Sequence, residues 1–429
     1  MSIKKRLLNG LSSGIVGTAT TVVIQLVGIP LLLIYWGTEL YGEWLVLFTL
    51  PSYIAMSDIG LGTVVCTEIN VLISQNKKEE AKQVFKSAFN FIVKLGLIPL
   101  TFLISISFWP LLRSGLNIEK INESEFTYSF IFLCVYSFLA IIITLPQGMY
   151  RSIGLFARGQ YVTTAFRIVE FCMFLTAILL EFNIIWVAFT YLLARLFYAL
   201  FVIYDLKRKT EVAQFTLQRT DYSNIKKMIK PSISMMSIYL GQSFTSQGII
   251  VIINVALGSV SVAIFSTIRT LCNMAKQPLM IISLTFWGEF TTAFAQKNKV
   301  LIHKLFKMAN LATIGASILA TIFLYFFGAW ILNIWTQGKI QIEEPFYTIF
   351  LLSIISNVFW YTRWNFLLSI NNHTKAVYFY LGSTIVVMLL IWFLTPMYGL
   401  VMVAIGLIMM DLFMIPVLHR LTQKVLDSI

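Results

Sequence analysis

The chain has 429 residues, of which 58% are hydrophobic and only 12% are charged. Soluble domains carry about 25% charged residues, so this composition excludes an ordinary soluble protein. The formal net charge is +13, but the basic residues lie in short segments beside apolar runs. There, membrane lipids with anionic headgroups are the expected partners, and nucleic acid is not. The four cysteines have no metal-ligand spacing, so we expect neither a metal site nor disulfides.

Apolar runs that are long enough to cross a hydrocarbon core of ~30 Å recur from one end of the chain to the other. We therefore predict an all-α polytopic membrane protein with 12 transmembrane helices. The predicted spans, numbered 1 to 12, cover residues 10–34, 43–66, 86–109, 126–146, 161–181, 184–204, 231–257, 260–284, 303–327, 345–368, 375–395 and 398–418.

The distribution of Lys and Arg predicts the orientation of these spans. Most of these residues lie in, or at the edge of, the termini and the loops on the same side of the membrane. The loops on the other side contain only Arg113, Lys120 and Lys339. Because cytoplasmic segments are enriched in Lys and Arg, we predict that both termini are inside (N-in/C-in). The outer loops are too short for an enzyme domain, so we expect no catalytic residues and no cofactor.

The spans fall into two predicted six-helix lobes, residues 1–205 and 231–429. A cytoplasmic basic linker at 206–230 joins them and contains seven Lys and Arg. The linker is expected either to lie on the inner leaflet as an amphipathic segment or to be a disordered connector. Six spans per lobe give both lobes the same orientation, so we predict two parallel bundles around a central cleft.

A faint internal repeat supports these two lobes. Gly37-Thr38, after span 1, aligns with Gly258-Ser259, after span 7, at an offset of 221 residues. Arg195-Leu196-Phe197 in span 6 aligns with Asp411-Leu412-Phe413 in span 12 at an offset of 216 residues. Each match alone is close to chance, but their order agrees with the order of the spans.

Two motifs near the first outer turn resemble those of a known family. Gly37-Thr38-Glu39-Leu40-Tyr41-Gly42-Glu43-Trp44 is similar to G-x-x-x-[YF]-G-x-W, and Asp58-Ile59-Gly60-Leu61 is similar to D-x-G-[LF]. Both patterns resemble the polysaccharide transporter family, which includes O-antigen (Wzx-type) flippases and belongs to the multidrug/oligosaccharidyl-lipid/polysaccharide superfamily. The resemblance implies a V-shaped protein with a central cavity in the bacterial inner membrane. It also implies translocation of undecaprenyl-pyrophosphate-linked oligosaccharide, with a polysaccharide polymerase as a possible partner.

Charged residues inside the spans are the main candidates for a functional site. A charge at the centre of a span costs at least ~2.5–3.5 kcal/mol on insertion scales, so it needs water or a partner. Arg195 and Arg269 lie near the middle of their spans and are predicted to line the cavity, although Arg195 could instead pair with Asp411 or Glu170. The full set of predicted substrate-path cations is Arg195, Arg269, Lys276, Lys94 and Arg363.

Acids inside the spans are fewer than the cations, so the interior is predicted to be net positive. Such an interior attracts anions, including the pyrophosphate of a lipid-linked glycan. Asp58, Glu170 and Asp411 are candidates for coupling transport to an ion. Amide side chains on spans 1 and 7 are candidate sugar contacts, although such residues also link helices to one another. They are Gln25, Gln242, Gln247 and Asn254.

Two other functions compete with a flippase. A cation-coupled drug antiporter of the same superfamily is expected to have an acid-rich interior, which is opposite to the balance of charges here. A membrane glycan polymerase is expected to have a large outer catalytic loop, and the loops of this chain are short.

Overall fold

The computed structural model describes residues 3–55, 60–216 and 222–428, and within these ranges the regular secondary structure is helical. The first half contains α1 Ile3–Ile54, α2 Leu61–Ser74, α3 Lys78–Ser107, α4 Pro110–Gly115, α5 Glu123–Ser152, α6 Phe156–Leu179 and α7 Ile184–Lys209. The second half contains α8 Tyr222–Ser243, a π-helical turn Phe244–Gly248, α9 Ile249–Leu257, α10 Ser259–Thr285, α11 Trp287–Ala295, α12 Lys299–Trp335, α13 Phe346–Ser369, α14 Thr374–Tyr398 and α15 Leu400–Asp427.

In the part of the chain that the structure describes, nine helices are long and apolar enough to cross a membrane. Large apolar side chains also lie exposed along these helices, as Phe102, Leu311 and Phe393 do (62%, 74% and 70% exposed). In water such surfaces would drive association, whereas lipid solvates them. The chain is therefore a polytopic membrane protein, while the count of 12 spans and the N-in orientation remain predictions.

Two glycines break the helices at equivalent places. Gly37 interrupts α1 with φ 71° and ψ −179°, and Gly258 separates α9 from α10 with φ 87° and ψ 172°. Residues with a Cβ avoid this region of positive φ, so both positions need glycine. These are the two glycines that the 221-residue offset aligns. The repeat inferred from sequence therefore matches a shared backbone conformation.

The structure divides into two compact units, Met1–Tyr239 and Leu240–Ile429. The division falls within α8, after the predicted linker. Part of that linker, residues 217–221, lies outside the described residues. In its described part, α7 continues to Lys209, and α8 begins at Tyr222.

An ion pair fastens the predicted cytoplasmic ends of α5, α6 and α7 in the first unit. The Asp205 carboxylate, 5% exposed, accepts two hydrogen bonds from the Arg158 guanidinium, from Nε at 2.9 Å and from Nη2 at 2.6 Å. Tyr150 Oη donates a third hydrogen bond to Asp205 at 2.8 Å. Because bidentate Arg–carboxylate pairs fix geometry as well as energy, this contact sets the relative position of the three helices.

A buried glutamate holds the loop between α4 and α5, which is an outer loop in the predicted orientation. Glu43, 2% exposed, lies in the first sequence motif, and its carboxylate accepts hydrogen bonds from three consecutive backbone N–H groups. These come from Glu119 and Lys120 to Oε1 (2.8 and 2.7 Å) and from Ile121 to Oε2 (2.8 Å). A buried charge needs such compensation, so Glu43 and the loop stabilise each other.

Candidate functional site

A cavity of about 660 Å³ lies within the first unit, and we name it the polar cavity after the hydroxyl and amide side chains in its lining. This volume is in the usual range for small-molecule sites. Its wall is formed by the end of α1 and by α2, α5, α6 and α8. Hydroxyl and amide side chains line much of it, namely Ser52, Thr63, Thr67, Asn70, Thr144, Gln147, Ser152 and Gln160. Arg151 is its one charged side chain among the described lining residues.

Close packing of α2 against α5 forms one wall of this cavity. A Cβ atom at Gly148 would collide with Cys66 Sγ, so only glycine lets the two helices approach this closely. Ser152 Oγ donates to the Cys66 carbonyl at 2.7 Å, which links the same helices by a buried hydrogen bond. The cavity therefore rests on a rigid wall at the end of α5, which is cytoplasmic in the predicted orientation.

The first charged centre in this unit is an ion pair between α6 and α7. Arg195 Nη2 lies 3.2 Å from Glu170 Oε2, and the two side chains are 22% and 18% exposed. Tyr136 Oη donates to Glu170 Oε1 at 3.0 Å and accepts a hydrogen bond from Arg195. The guanidinium also lies 4.4 Å from the centroid of the Tyr136 ring. Of the two partners that the sequence allowed for Arg195, the structure has Glu170.

A chain of hydrogen bonds connects the polar cavity to this centre. Gln147 lines the cavity, and its Nε2 donates to Thr163 Oγ1 at 3.0 Å. Thr163 Oγ1 is 2.9 Å from Tyr198 Oη, and the Tyr198 ring centroid is 5.9 Å from the Arg195 guanidinium. Two hydrogen bonds and one cation–ring contact thus lie between the cavity and the ion pair.

The second charged centre lies in the second unit around Asp411 of α15. This carboxylate is 3% exposed and accepts hydrogen bonds from three side chains of α13. Ser356 Oγ and Trp360 Nε1 donate at 2.5 and 2.7 Å, and Asn357 Nδ2 donates at 3.2 Å. Lys276 of α10 interacts with Asp411 electrostatically. Asp411 is thus a buried acid that three neutral side chains stabilise by hydrogen bonds, as a buried carboxylate requires.

Arg269 lies beside a defect in the helix that contains most of the predicted sugar contacts. Residues Phe244–Gly248 form a π-helical turn, which frees a carbonyl from the regular hydrogen-bond ladder. Such turns are frequent at functional sites. Arg269 Nη1 donates to the Ser246 carbonyl at 2.7 Å, and its guanidinium is 5.1 Å from the centroid of the Phe265 ring. The cation therefore caps the irregular turn.

The remaining predicted residues are placed as follows. Lys94 is exposed on α3, and Arg363 Nη1 donates to the Phe359 carbonyl of its own helix at 3.1 Å. Asp58 lies outside the described residues. The amide candidates differ in burial, with Gln242 exposed, Gln25 and Gln247 half-buried and Asn254 fully buried.

Sequence reasoning missed the polar cavity, Arg151 and the role of Glu43. Arg151 was counted only as a basic residue of an inner loop. One available signal was the series Thr144, Gln147 and Arg151, which places polar side chains three and four residues apart on one face of a helix. For Glu43, the signal was an acid at the edge of a span without a basic neighbour in sequence.

The fold of this all-helical chain is that of membrane transporters. No protein-family model and no curated protein sequence matches the chain. Solved structures do match, and they are transporters of the multidrug/oligosaccharidyl-lipid/polysaccharide (MOP) superfamily. The inward-facing conformation of a multidrug resistance MATE family transporter superposes with a TM-score of 0.72 at 14% sequence identity, covering 100% of this chain and 96% of the other.

Two further solved structures agree with this assignment of the fold. An outward-facing multidrug resistance MATE transporter has a TM-score of 0.66 at 16% identity, over 99% of this chain and 96% of the other. A MOP superfamily transporter from Pyrococcus furiosus has a TM-score of 0.67 at 16% identity, with the same coverage. It is described as having a binding pocket of reverse polarity that suggests a different function.

Proposed function

We propose that this protein is a flippase that moves undecaprenyl-pyrophosphate-linked oligosaccharide, such as an O-antigen or capsule repeat unit, from the cytoplasmic to the outer leaflet by alternating access. The observation that carries the proposal is the charge balance inside the spans. Of the coupling candidates that the structure describes, Glu170 pairs with Arg195, whereas neutral side chains donate hydrogen bonds to Asp411. The predicted spans contain five candidate cations against three candidate acids, and such an excess of positive charge attracts an anion.

The polar cavity supports the same proposal. Hydroxyl and amide groups form hydrogen bonds with sugars, and Arg suits a phosphate because its guanidinium can donate two parallel hydrogen bonds. Arg151 forms no ion pair with the described residues and is exposed, so its charge is available to a ligand. In the predicted orientation this cavity lies toward the cytoplasm, where the loaded lipid is made. The neighbour with reversed pocket polarity is a precedent within the fold for a binding pocket that suggests a different function.

The cations have separate roles in this mechanism. Arg151 would receive the pyrophosphate, while the polar side chains around it hold the first sugars. Arg269 and Lys276, seven residues apart on one face of α10, would shield the charge during passage. Arg195 would act through its ion pair with Glu170, because its charge is already compensated. A polysaccharide polymerase is the expected partner that takes the product.

Reconstitution into vesicles tests this function. A fluorescent polyprenyl-pyrophosphate oligosaccharide is placed in one leaflet, and its appearance in the other is followed with an added lectin. Arg151→Gln is expected to slow translocation roughly tenfold or more, since a charge-assisted hydrogen bond contributes about 1.5–3 kcal/mol. Arg420→Gln is the matched control, because it removes the same charge from an exposed position in the second unit. Wild-type vesicles that do not move the glycolipid would refute the function.

A cation-coupled drug antiporter is the second candidate, favoured by the buried Asp411 and by the multidrug transporters that share the fold. In this case a proton, a sodium ion or a cationic drug would replace Lys276 as the positive charge beside the Asp411 carboxylate. Asp411→Asn would then abolish drug efflux from cells while leaving their surface polysaccharide intact. The flippase predicts the opposite pattern in cells that lack the protein, namely lost surface polysaccharide and unchanged drug tolerance.

A further inference from the structure

A second cavity of the first unit, about 950 Å³ in volume, lies where three connections converge. These are the start of α3, the turn between α5 and α6, and the end of α7. Its described lining contains one acid, Glu211, against five basic side chains, which are Lys78, Lys82, Lys207, Arg208 and Lys209. All three connections are cytoplasmic in the predicted orientation. We name this site the basic cavity.

Protein partners already engage three of these cations. Lys82 Nζ lies 2.7 Å from Glu79 and 3.8 Å from Glu211. Lys209 interacts electrostatically with the Asp205 carboxylate, which Arg158 already holds. The Arg208 guanidinium lies 5.0 Å from the centroid of the Tyr204 ring.

Lys78 and Lys207 are different. Both are exposed, and neither forms an ion pair with any residue that the structure describes. They approach the cavity from separate elements, since Lys78 begins α3 and Lys207 lies in the last turn of α7. Two uncommitted ammonium groups on opposite elements of one concave site provide a positive potential that the neighbouring acids do not cancel.

The basic cavity also has apolar walls. Ile73, Ile153, Leu155 and Val212 line it together with the basic residues. The helix α6 starts at its edge without a side-chain cap and without an acid in its first turn, so its positive end adds to the potential. A small inorganic anion would use the charges only. An amphiphile uses the charges and the apolar walls, which favours a lipid over a free phosphate.

We propose that the basic cavity binds the headgroup of an anionic phospholipid of the inner leaflet. Its phosphodiester lies between Lys78 and Lys207, and its glycerol region lies against Ile153 and Leu155. The bound lipid bridges α3, α5 and α7, and so stabilises the end of the first unit. The basic cavity borders the polar cavity at Ser152, which lines both, but none of its basic residues lines the polar cavity. The proposal does not depend on which substrate the protein transports.

Native mass spectrometry of the purified full chain, titrated with phosphatidylglycerol, tests the proposal. The double variant Lys78→Gln/Lys207→Gln is compared with Lys297→Gln/Lys299→Gln, which removes the same charge from exposed positions of the second unit on the same predicted membrane side. Because each lysine near a membrane surface adds to the affinity for anionic lipid, the first variant should bind phosphatidylglycerol on the order of 20-fold more weakly. The control should bind it as the wild type does, and Lys78→Arg/Lys207→Arg should retain binding.

Three results would overturn the proposal. Equal weakening in both double variants would mean that only overall surface charge matters. Equal retention of phosphatidylcholine would mean that the headgroup charge is not recognised. Displacement of the lipid by inorganic phosphate at comparable concentration would assign the site to a free anion. Size-exclusion chromatography of each variant identifies loss of folding. In that case the wild type decides, because the proposal requires it to retain phosphatidylglycerol over phosphatidylcholine and to resist displacement by inorganic phosphate.

Discussion

Replacement of Glu43 by Gln tests the clamp on the outer loop. The wild-type carboxylate accepts three backbone N–H groups, two on Oε1 and one on Oε2. A Gln side chain has nearly the same shape, but its one carbonyl oxygen can replace only Oε1. Its NH₂ group then faces the Ile121 N–H. The variant loses one charge-assisted hydrogen bond, leaves a buried donor unpaired and weakens two other bonds, so we expect a loss of about 2–4 kcal/mol.

Thermal unfolding in detergent, followed by size-exclusion chromatography, measures this loss, and limited proteolysis reports on the loop itself. A loss of this size corresponds to a melting temperature lower by roughly 5–10 °C in a unit of this length. Glu39→Gln is the matched control. Glu39 pairs with Lys120 at 2.9 Å, but it is 52% exposed, and exposed pairs contribute at most about 1 kcal/mol. Equal shifts in the two variants, or faster loop cleavage in Glu39→Gln, would refute this reasoning.

Three further predictions concern packing and charge. Glu170→Gln leaves the Arg195 guanidinium without its carboxylate in the interior, so we expect a loss of about 3 kcal/mol in a melting assay, and an unchanged melting temperature would contradict the pairing. Gly148→Ala should destabilise by about 1–3 kcal/mol because its methyl group meets Cys66, and a Gly148→Ala/Cys66→Ala variant that recovers nothing would exclude this cause. Burial lowers the pKa of His373, so the unfolded chain binds a proton at this imidazole more readily than the folded chain does, and the stability should fall as the pH drops below about 6.5. His373→Asn should reduce this dependence of stability on pH. An unaltered dependence would show that other groups cause it.

The features of the fold that depend on hydrophobic patterning could be predicted from the sequence. Apolar runs identified helices, because a helix satisfies its own backbone hydrogen bonds in lipid. Gly37 and Gly258 were also predictable as equivalent positions, since a break with positive φ requires glycine in both copies. The bounds of these two helices were not predicted, because the second span reads as one continuous apolar run over 43–66, whereas α1 ends at Ile54 and α2 begins at Leu61.

The sites were harder to predict because side-chain partners depend on how each helix is rotated about its axis. For Arg195 the sequence left Glu170 and Asp411 open as partners, and only the packing of α6 on α7 decides between them. The polar cavity draws side chains from five helices, and no single segment shows that pattern. The π-helical turn at Phe244–Gly248 has no sequence signal that we used, although it determines what Arg269 contacts.

The two charged centres have residues of opposite charge at equivalent positions of the repeat. Arg195 is the twelfth residue of α7 and Asp411 the twelfth of α15, counted from Ile184 and Leu400. In each unit the central charge forms a hydrogen bond with an aromatic side chain of an adjacent helix. Arg195 donates to Tyr136 in the first unit, and Trp360 donates to Asp411 in the second. Either sign is accommodated at this position when polar partners compensate it, because burial penalises an uncompensated ion whatever its sign. In the first unit, the proposed mechanism therefore places the contact with the anion outside this centre, at Arg151.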